Sequence, residues 1–457
     1  MNMIRILFLM AVMTGVANAT KIAVIDSGTD LSHNDLKNKK WFNSKDIDDA
    51  VDNDDNGLID DVNGWNFAEN NNKLYDKTLV GTFSADVYKF FEVQTRMMKG
   101  EATDADREWM TNARNNQELI SQLQVFGNFV HGTHVAGIAA KNADQAEVMV
   151  LKMIPTKPGI NPKRTRQFAK AVNASAERIT EVDSKIDAVL KMALKGLATQ
   201  QSKLLGTIGQ YVGKGKARVA NCSFGTSTHA VKTMIMPALL KLALRRAPTE
   251  EELDLYSAYF VNQAVDASKA MPNGAKDTLF VIAAGNDGMN NDVFPTSPAN
   301  LRMTNTITVA ATLGYQKIAS FSNYGEKMVD VAAPGVGIES AIPGQQYLTV
   351  SGTSQASPFV ANVAGLLIDA NPNLSNSDLK KILMQTADLK DFLKGKVVSS
   401  GIVNTDRAIM AAKLALTQQL DQALEAARVQ INDVQSQQFM GVKNEENTFV
   451  LPLPMLF

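Results

Sequence analysis

Short apolar runs recur along the chain, each closed by polar or small residues: Lys21 to Asp26, Glu147 to Ile154, Arg218 to Phe224, Thr278 to Gly285, Thr306 to Thr312 and Met328 to Ala333. Runs of this length without strict alternation predict strands buried on both faces. Between them the spacing turns helical, as in Phe168, Val172, Ile179, Val182, Ile186 and Val189, and again from His134 to Ala140. Strands alternating with helices predict an α/β domain on a mostly parallel sheet, with ligands bound outside the carboxyl ends of the strands. The first run delivers Asp26 to such an end.

Two polar stretches with helical periodicity, about 73–126 and 156–215, interrupt the alternation and predict helical insertions. Beyond Lys413, the residues Leu416, Leu420, Leu424, Ala427, Ile431 and Val434 mark one face of a helix of about six turns. A C-terminal helical extension and tail are therefore expected over 414–457. At the other end, Arg5, the apolar run Ile6 to Met13 and the small-residue site Ala17-Asn18-Ala19 have the layout of a cleavable secretory signal. The run is shorter than the roughly 20 residues that span a bilayer, and no later segment is long and apolar enough to do so. The expectation is a signal peptide at 1–19, a main domain at 20–413 beginning with Thr20, and a soluble product that is secreted or periplasmic.

Of the 457 residues, 45% are hydrophobic and 20% charged, which excludes global disorder. Lys+Arg number 46 and Asp+Glu 47, so no net positive field draws nucleic acid or an anionic membrane. The single cysteine, Cys222, allows neither an intramolecular disulfide nor a cysteine zinc cluster, and reads as a buried small hydrophobe.

The candidate chemistry lies in Asp26-Ser27-Gly28, His131-Gly132-Thr133-His134-Val135-Ala136-Gly137 and Gly352-Thr353-Ser354-Gln355-Ala356-Ser357-Pro358. An alcohol becomes a nucleophile when an imidazole takes its proton, and a carboxylate holds that imidazole in the right tautomer. Further blocks follow in order: Val281 to Gly288, Ala319 to Gly325, Val331 to Gly335 and Gly401 to Asn404. Together these segments resemble the subtilase (subtilisin-like serine peptidase) family from Ile22 to about Ala412.

That resemblance implies a three-layer α/β fold, protein or peptide substrates and no organic cofactor. It also implies that Asp26 orients His131, that His131 is general base and then acid, and that Ser354 attacks the scissile carbonyl. Asn286 and the Ser354 N–H would bind the oxyanion, since Gly352 to Ser354 before the apolar run from Phe359 to Ile368 predicts a helix N-terminus. Asn221 to Gly225 resembles the edge on which substrate is aligned, with Ser223 and Gly225 on the peptide backbone. Phe224, Ala284 and Gly285 would wall the pocket for the residue before the scissile bond. Zinc held by His131 and His134 competes poorly, because an i,i+3 pair lacks the glutamate of a metalloprotease helix. A catalytically latent binding or scaffold protein on the same fold is the alternative from another functional class.

The sequence departs from the family at Gln355, where methionine is usual, and at Phe359 and Asn362, where His and Gly are common. Asp26 follows Ala19 by seven residues, which leaves no room for an inhibitory propeptide; the insertions or the C-terminal helix are expected to assist folding or shield the cleft. A second site is expected at Asp52 to Asp61. Asp52, Asp54 and Asn56, the Leu58 carbonyl, and Asp60 or Asp61 place oxygens at the alternating spacing calcium favours, with Gly57 at the turn. The twelfth position is Asn63 instead of Glu, so this is no standard EF-hand; a structural Ca2+ is expected, as the segment into Phe67 resembles a loop of exported subtilases.

Overall fold

A computed structural model describes residues 19–157, 168, 170, 172 and 179–435. The predicted secretory signal before Ala19 and the tail beyond residue 435 lie outside the described residues. The strands in chain order are β1 (Lys21–Asp26), β2 (Gly64–Asn66), β3 (Glu147–Lys152), β4 (Val219–Cys222), β5 (Thr226–Ser227), β6 (Leu279–Ala283) and β7 (Thr296–Ser297). They continue as β8 (Thr306–Leu313), β9 (Lys317–Ile318), β10 (Val331–Pro334), β11 (Ile338–Ile342), β12 (Gln346–Val350), β13 (Asp388–Leu389) and β14 (Gly401–Ile402). The main sheet has the order β13-β14-β10-β8-β6-β4-β1-β3-β2, with β9 paired on β8. All its pairings are parallel except β8 with β9 and β13 with β14. Strand β1 lies between β3 and β4, so the order reverses beside Asp26, where an open parallel sheet leaves a crevice.

Alternate residues of each strand enter different cores, and this makes three layers. Ile22, Val219 and Val281 face one side, packed under helices α7 (Thr353–Ala370), α8 (Asn376–Gln385), α9 (Thr405–Leu414) and α10 (Leu420–Gln430). Ala23, Ile25, Ala220, Cys222, Phe280 and Ile282 face the other side, against Leu205, Ile208 and Val212 of helix α4 (Ser184–Lys214). The fold is thus the expected three-layer α/β arrangement.

The first inserted stretch holds α1 (Ala85–Lys99), α2 (Asp104–Asn115) and the start of α3 (Gln117–Ala139). It does not end at residue 126: α3 runs on through Gly127 and Asn128 into the histidine motif, held by the buried Phe126, Phe129 and Val130 on either side of them. The Asn116 side chain caps α3 by accepting from the N–H groups of Glu118 and Leu119, both at 3.1 Å. Phe90, Phe91, Leu123 and Phe126 form a core with Ile342 and Leu348 of the β11–β12 hairpin, which leads into Ser354. The insertion thereby braces both the histidine helix and the approach to the nucleophile.

The second stretch is likewise only partly peripheral. The first half of α4 packs Leu190, Leu194 and Leu197 against α5 (Met236–Leu244) and α6 (Glu250–Ser268), while its second half covers the sheet. The expected six-turn helix over Leu416 to Val434 is corrected to the shorter α10, which begins at Leu420 after the turn at Ala415 to Gln419 and ends at Gln430. Leu424 and Ala427 are buried in the core, whereas Leu416 stays exposed. Among the described residues no helix is long and apolar enough to cross a membrane.

Candidate active site

Helix α3 passes so close to the turn after β1 that a side chain at Gly132 would meet the Gly28 carbonyl oxygen at 2.1 Å. The contact is fastened by Thr29 Oγ1 donating to the Gly132 carbonyl at 3.2 Å and by Asp30 N donating to Thr133 Oγ1 at 2.9 Å. His131, the residue before Gly132, is thereby set over the end of β1, with Nδ1 2.6 Å from Asp26 Oδ1. Asp26 is 1% exposed, and the same oxygen accepts from Ser27 N at 2.7 Å. An imidazole that donates through Nδ1 to a buried carboxylate leaves Nε2 to accept a proton.

Ser354 is the second residue of α7, and its N–H has no acceptor among the described residues. Pro358 lacks the N–H that would normally bond the Ser354 carbonyl four residues back. Ser223 Oγ takes its place, donating to that carbonyl at 3.0 Å. Asn221 Nδ2 in turn donates to Ser223 Oγ at 2.9 Å, and Ser357 Oγ donates to Asn221 Oδ1 at 2.8 Å. A buried polar network therefore fixes the turn that carries the nucleophile. Ser354 Oγ itself donates to the Ser223 carbonyl at 3.4 Å and makes no hydrogen bond to His131.

Asn286 follows β6. Its Oδ1 accepts from Thr353 N at 2.9 Å and Thr353 Oγ1 at 2.8 Å, which turns Nδ2 toward Gly352 and the start of α7. Asn323 shapes the supporting turn, its Oδ1 accepting from Asp287 N at 2.9 Å and Met289 N at 3.0 Å. Burial pushes the neighbouring Asp287 carboxyl above the ordinary range. His134, one turn after His131, is fully buried, and desolvation brings it down to about 4, so the ring is neutral. Burial raises the Cys222 thiol, consistent with an inert core residue.

The expected substrate edge, Asn221 to Gly225, runs from the end of β4 to the start of β5 beside Ser354. Ser223 spends its hydroxyl on the Ser354 carbonyl, and the fully buried Phe224 ring packs in a core with Trp65 and Ile282. Gly225, Ala284 and Gly285 are buried beside them, with Gly285 N donating to Thr353 Oγ1 at 3.2 Å. The Ser223 and Thr353 roles were missed because their partners lie 131 and 67 residues away in sequence.

In the acidic loop, Asp54, Asn56 and Asp61 come together, whereas Asp52 and Asp60 bond loop amides. Asp52 accepts from Asn56 N and Gly57 N, and Asp60 from Asp49 N and Ala50 N. The Leu58 N–H is bonded by Asn56 Oδ1 at 2.8 Å. Asp46, unnoticed in the sequence, joins the cluster: it is fully buried and accepts from Asp61 N at 2.9 Å. Burial pushes Asp61 upward despite the groups bonding to it; for Asp46 the opposing N–H groups of Asp61, Asn53 and Ile47 outweigh burial and hold it low. Asn43 Nδ2 reaches Asp54 Oδ2 at 3.2 Å and Asp61 Oδ1 at 2.6 Å, Asn56 Nδ2 reaches Asp61 Oδ2 at 3.0 Å, and Asp54 Oδ1 is buried without a hydrogen-bond partner. No three carboxylates converge as metal ligands among the described residues. Amide N–H groups of Asn43 and Asn56 stand between them instead, and the orphaned Asp54 oxygen is the one feature here that suits a hard cation.

A family model described as the subtilase family matches residues 17–412. Alkaline elastase YaB of Bacillus sp. (strain YaB) is 39% identical over 134 residues, 29% of this chain and 33% of that protein. A thermophilic serine proteinase of Bacillus sp. (strain AK1) is 42% identical over 134 residues, 29% of this chain and 31% of that protein. The matched stretches thus span about a third of the length of these relatives. A cold adapted subtilisin-like serine proteinase of known crystal structure has 18% identity and a TM-score of 0.43, covering 85% of this chain and 89% of its own.

Proposed function

The chain belongs to the subtilase family, and from that premise we propose that it is a serine endopeptidase acting on proteins or peptides through an acyl-enzyme. The observation that carries this reading is the buried Asp26 carboxylate bonded to His131 Nδ1 at the carboxyl end of β1. Ser354 Oγ turns from the Ser223 carbonyl to His131 Nε2, gives up its proton and bonds the scissile carbonyl carbon. Asp26 stabilises the imidazolium that results, and His131 passes the proton to the departing amine as the C–N bond breaks. Water then attacks the ester, with His131 taking and returning its proton. Asn286 Nδ2 and Ser354 N–H would stabilise the negative oxygen in both halves; in this family loss of the asparagine donor costs about 10²–10³ in rate.

The proposal includes a structural calcium ion in the acidic loop, which Asp54, Asn56 and Asp61 would hold beside the buried Asp46 once the Asn43 and Asn56 amides turned away from the carboxylates. It also includes export to the periplasm or beyond, action without an organic cofactor, and alignment of the peptide on main chain near Gly225 and Gly285. One observation favours latency as a second reading: Ser354 Oγ bonds the Ser223 carbonyl and not the histidine.

A fluorophosphonate separates the two. The chain from Thr20 should acquire one adduct, mapped by mass spectrometry to Ser354 and absent from Ser354→Ala. A folded chain that acquires none contradicts the enzyme reading.

A further inference from the structure

Gln355 stands beside the nucleophile with its amide caught between two fixed surroundings. His134 Nε2 donates to the Leu348 carbonyl at 2.9 Å, so Nδ1 of the neutral ring is the acceptor and takes Gln355 Nε2 at 3.4 Å. The amide is planar, and Oε1 therefore points away from His134. It lies 2.8 Å from the Cβ position of Gly352, a point that is also 3.3 Å from Asn286 Nδ2 and 3.6 Å from Ser354 N. An oxygen bound by those two nitrogens near that point would face the lone pairs of Gln355, where a donor would be needed. Gln355 is 2% exposed, so bulk water does not soften that repulsion.

We infer that Gln355 gates the oxyanion pocket: in the resting orientation set by His134 its Oε1 opposes the oxygen of a tetrahedral adduct, and it must rotate away before the adduct is stabilised. The Ser354 hydroxyl, turned to the Ser223 carbonyl, belongs to the same resting state. The inference rests on the serine-peptidase reading and adds a restraint on it. Methionine fills a similar volume without the acceptor, and leucine removes it in a more compact form.

The test compares second-order fluorophosphonate labelling of the parent chain, Gln355→Met and Gln355→Leu, each checked for folding by circular dichroism, with inhibition by a peptide aldehyde alongside. Labelling of at least one folded variant should be faster by about tenfold or more, and the aldehyde should bind correspondingly tighter. Folded variants that label at the parent rate or slower overturn the gate while leaving the enzyme reading intact. If neither parent nor variants label, the enzyme reading falls and takes the gate with it.

Discussion

Ser223 and Ser354 hold one another twice: Ser223 Oγ donates to the Ser354 carbonyl at 3.0 Å, and Ser354 Oγ donates to the Ser223 carbonyl at 3.4 Å. The first bond exists because Pro358 cannot supply the helical donor. Ser223→Ala should therefore leave a buried carbonyl unpaired and lower stability by about 1–3 kcal/mol. Adding Pro358→Ala restores an N–H four residues on, and urea unfolding should show the double variant regaining part of the loss. A double variant no more stable than Ser223→Ala would mean that the missing helical donor is not the reason for the contact.

His134 makes stability depend on pH. Its folded value of about 4 lies below the ordinary 6.5, so the unfolded chain takes up the proton first as pH falls. The stabilisation is complete above pH 6.5, is lost progressively toward pH 4, and amounts to about 3 kcal/mol for this fully buried ring. Urea titrations at pH 7 and 4.5 should show this slope in the parent and its loss in His134→Asn. An unchanged slope in the variant would assign the pH dependence elsewhere.

Arg407 clamps the C-terminal segment. It donates to the fully buried Asp388 at 2.9 Å, to Asp433 at 2.8 Å and to the carbonyls of Thr386 and Ile431. Removing one partner strands the other charge, so Arg407→Ala should cost about 3–5 kcal/mol. A loss under about 1 kcal/mol in denaturant, the range of surface pairs, would show that the clamp is not a buried ion pair in solution.

The cluster of Asp46, Asp54 and Asp61 predicts that millimolar calcium raises the melting temperature of the parent and that a chelator lowers it. Asp61→Asn should remove most of that response. A melting temperature indifferent to calcium would leave the cluster as a carboxylate network satisfied by Asn43 and Asn56.

Much of this architecture could be read from sequence, for a physical reason. Strands buried on both faces, such as Leu279–Ala283, are nearly pure apolar runs, and the end of Lys21–Asp26 marks where Asp26 must emerge. Helix ends were less visible. Gly127 and Asn128 read as a boundary, but burial of Phe126, Phe129 and Val130 carries the helix through them and merges the insertion with α3, whereas the spacing of Leu416 to Val434 hid the turn that sends α10 back over α9. Side-chain roles that depend on distant partners could not be read at all. Gln355 is unusual in sequence, but its role depends on the placement of the remote His134 and of the Gly352 turn around it.

Casein hydrolysis by the chain from Thr20 beside Ser354→Ala decides whether Ser354 cleaves peptide bonds. New peptides should appear with the parent and none with the equally folded variant. Equal activity in the two would place any cleavage outside Ser354, and equal inactivity of both folded proteins would contradict the peptidase reading in favour of a latent binding role.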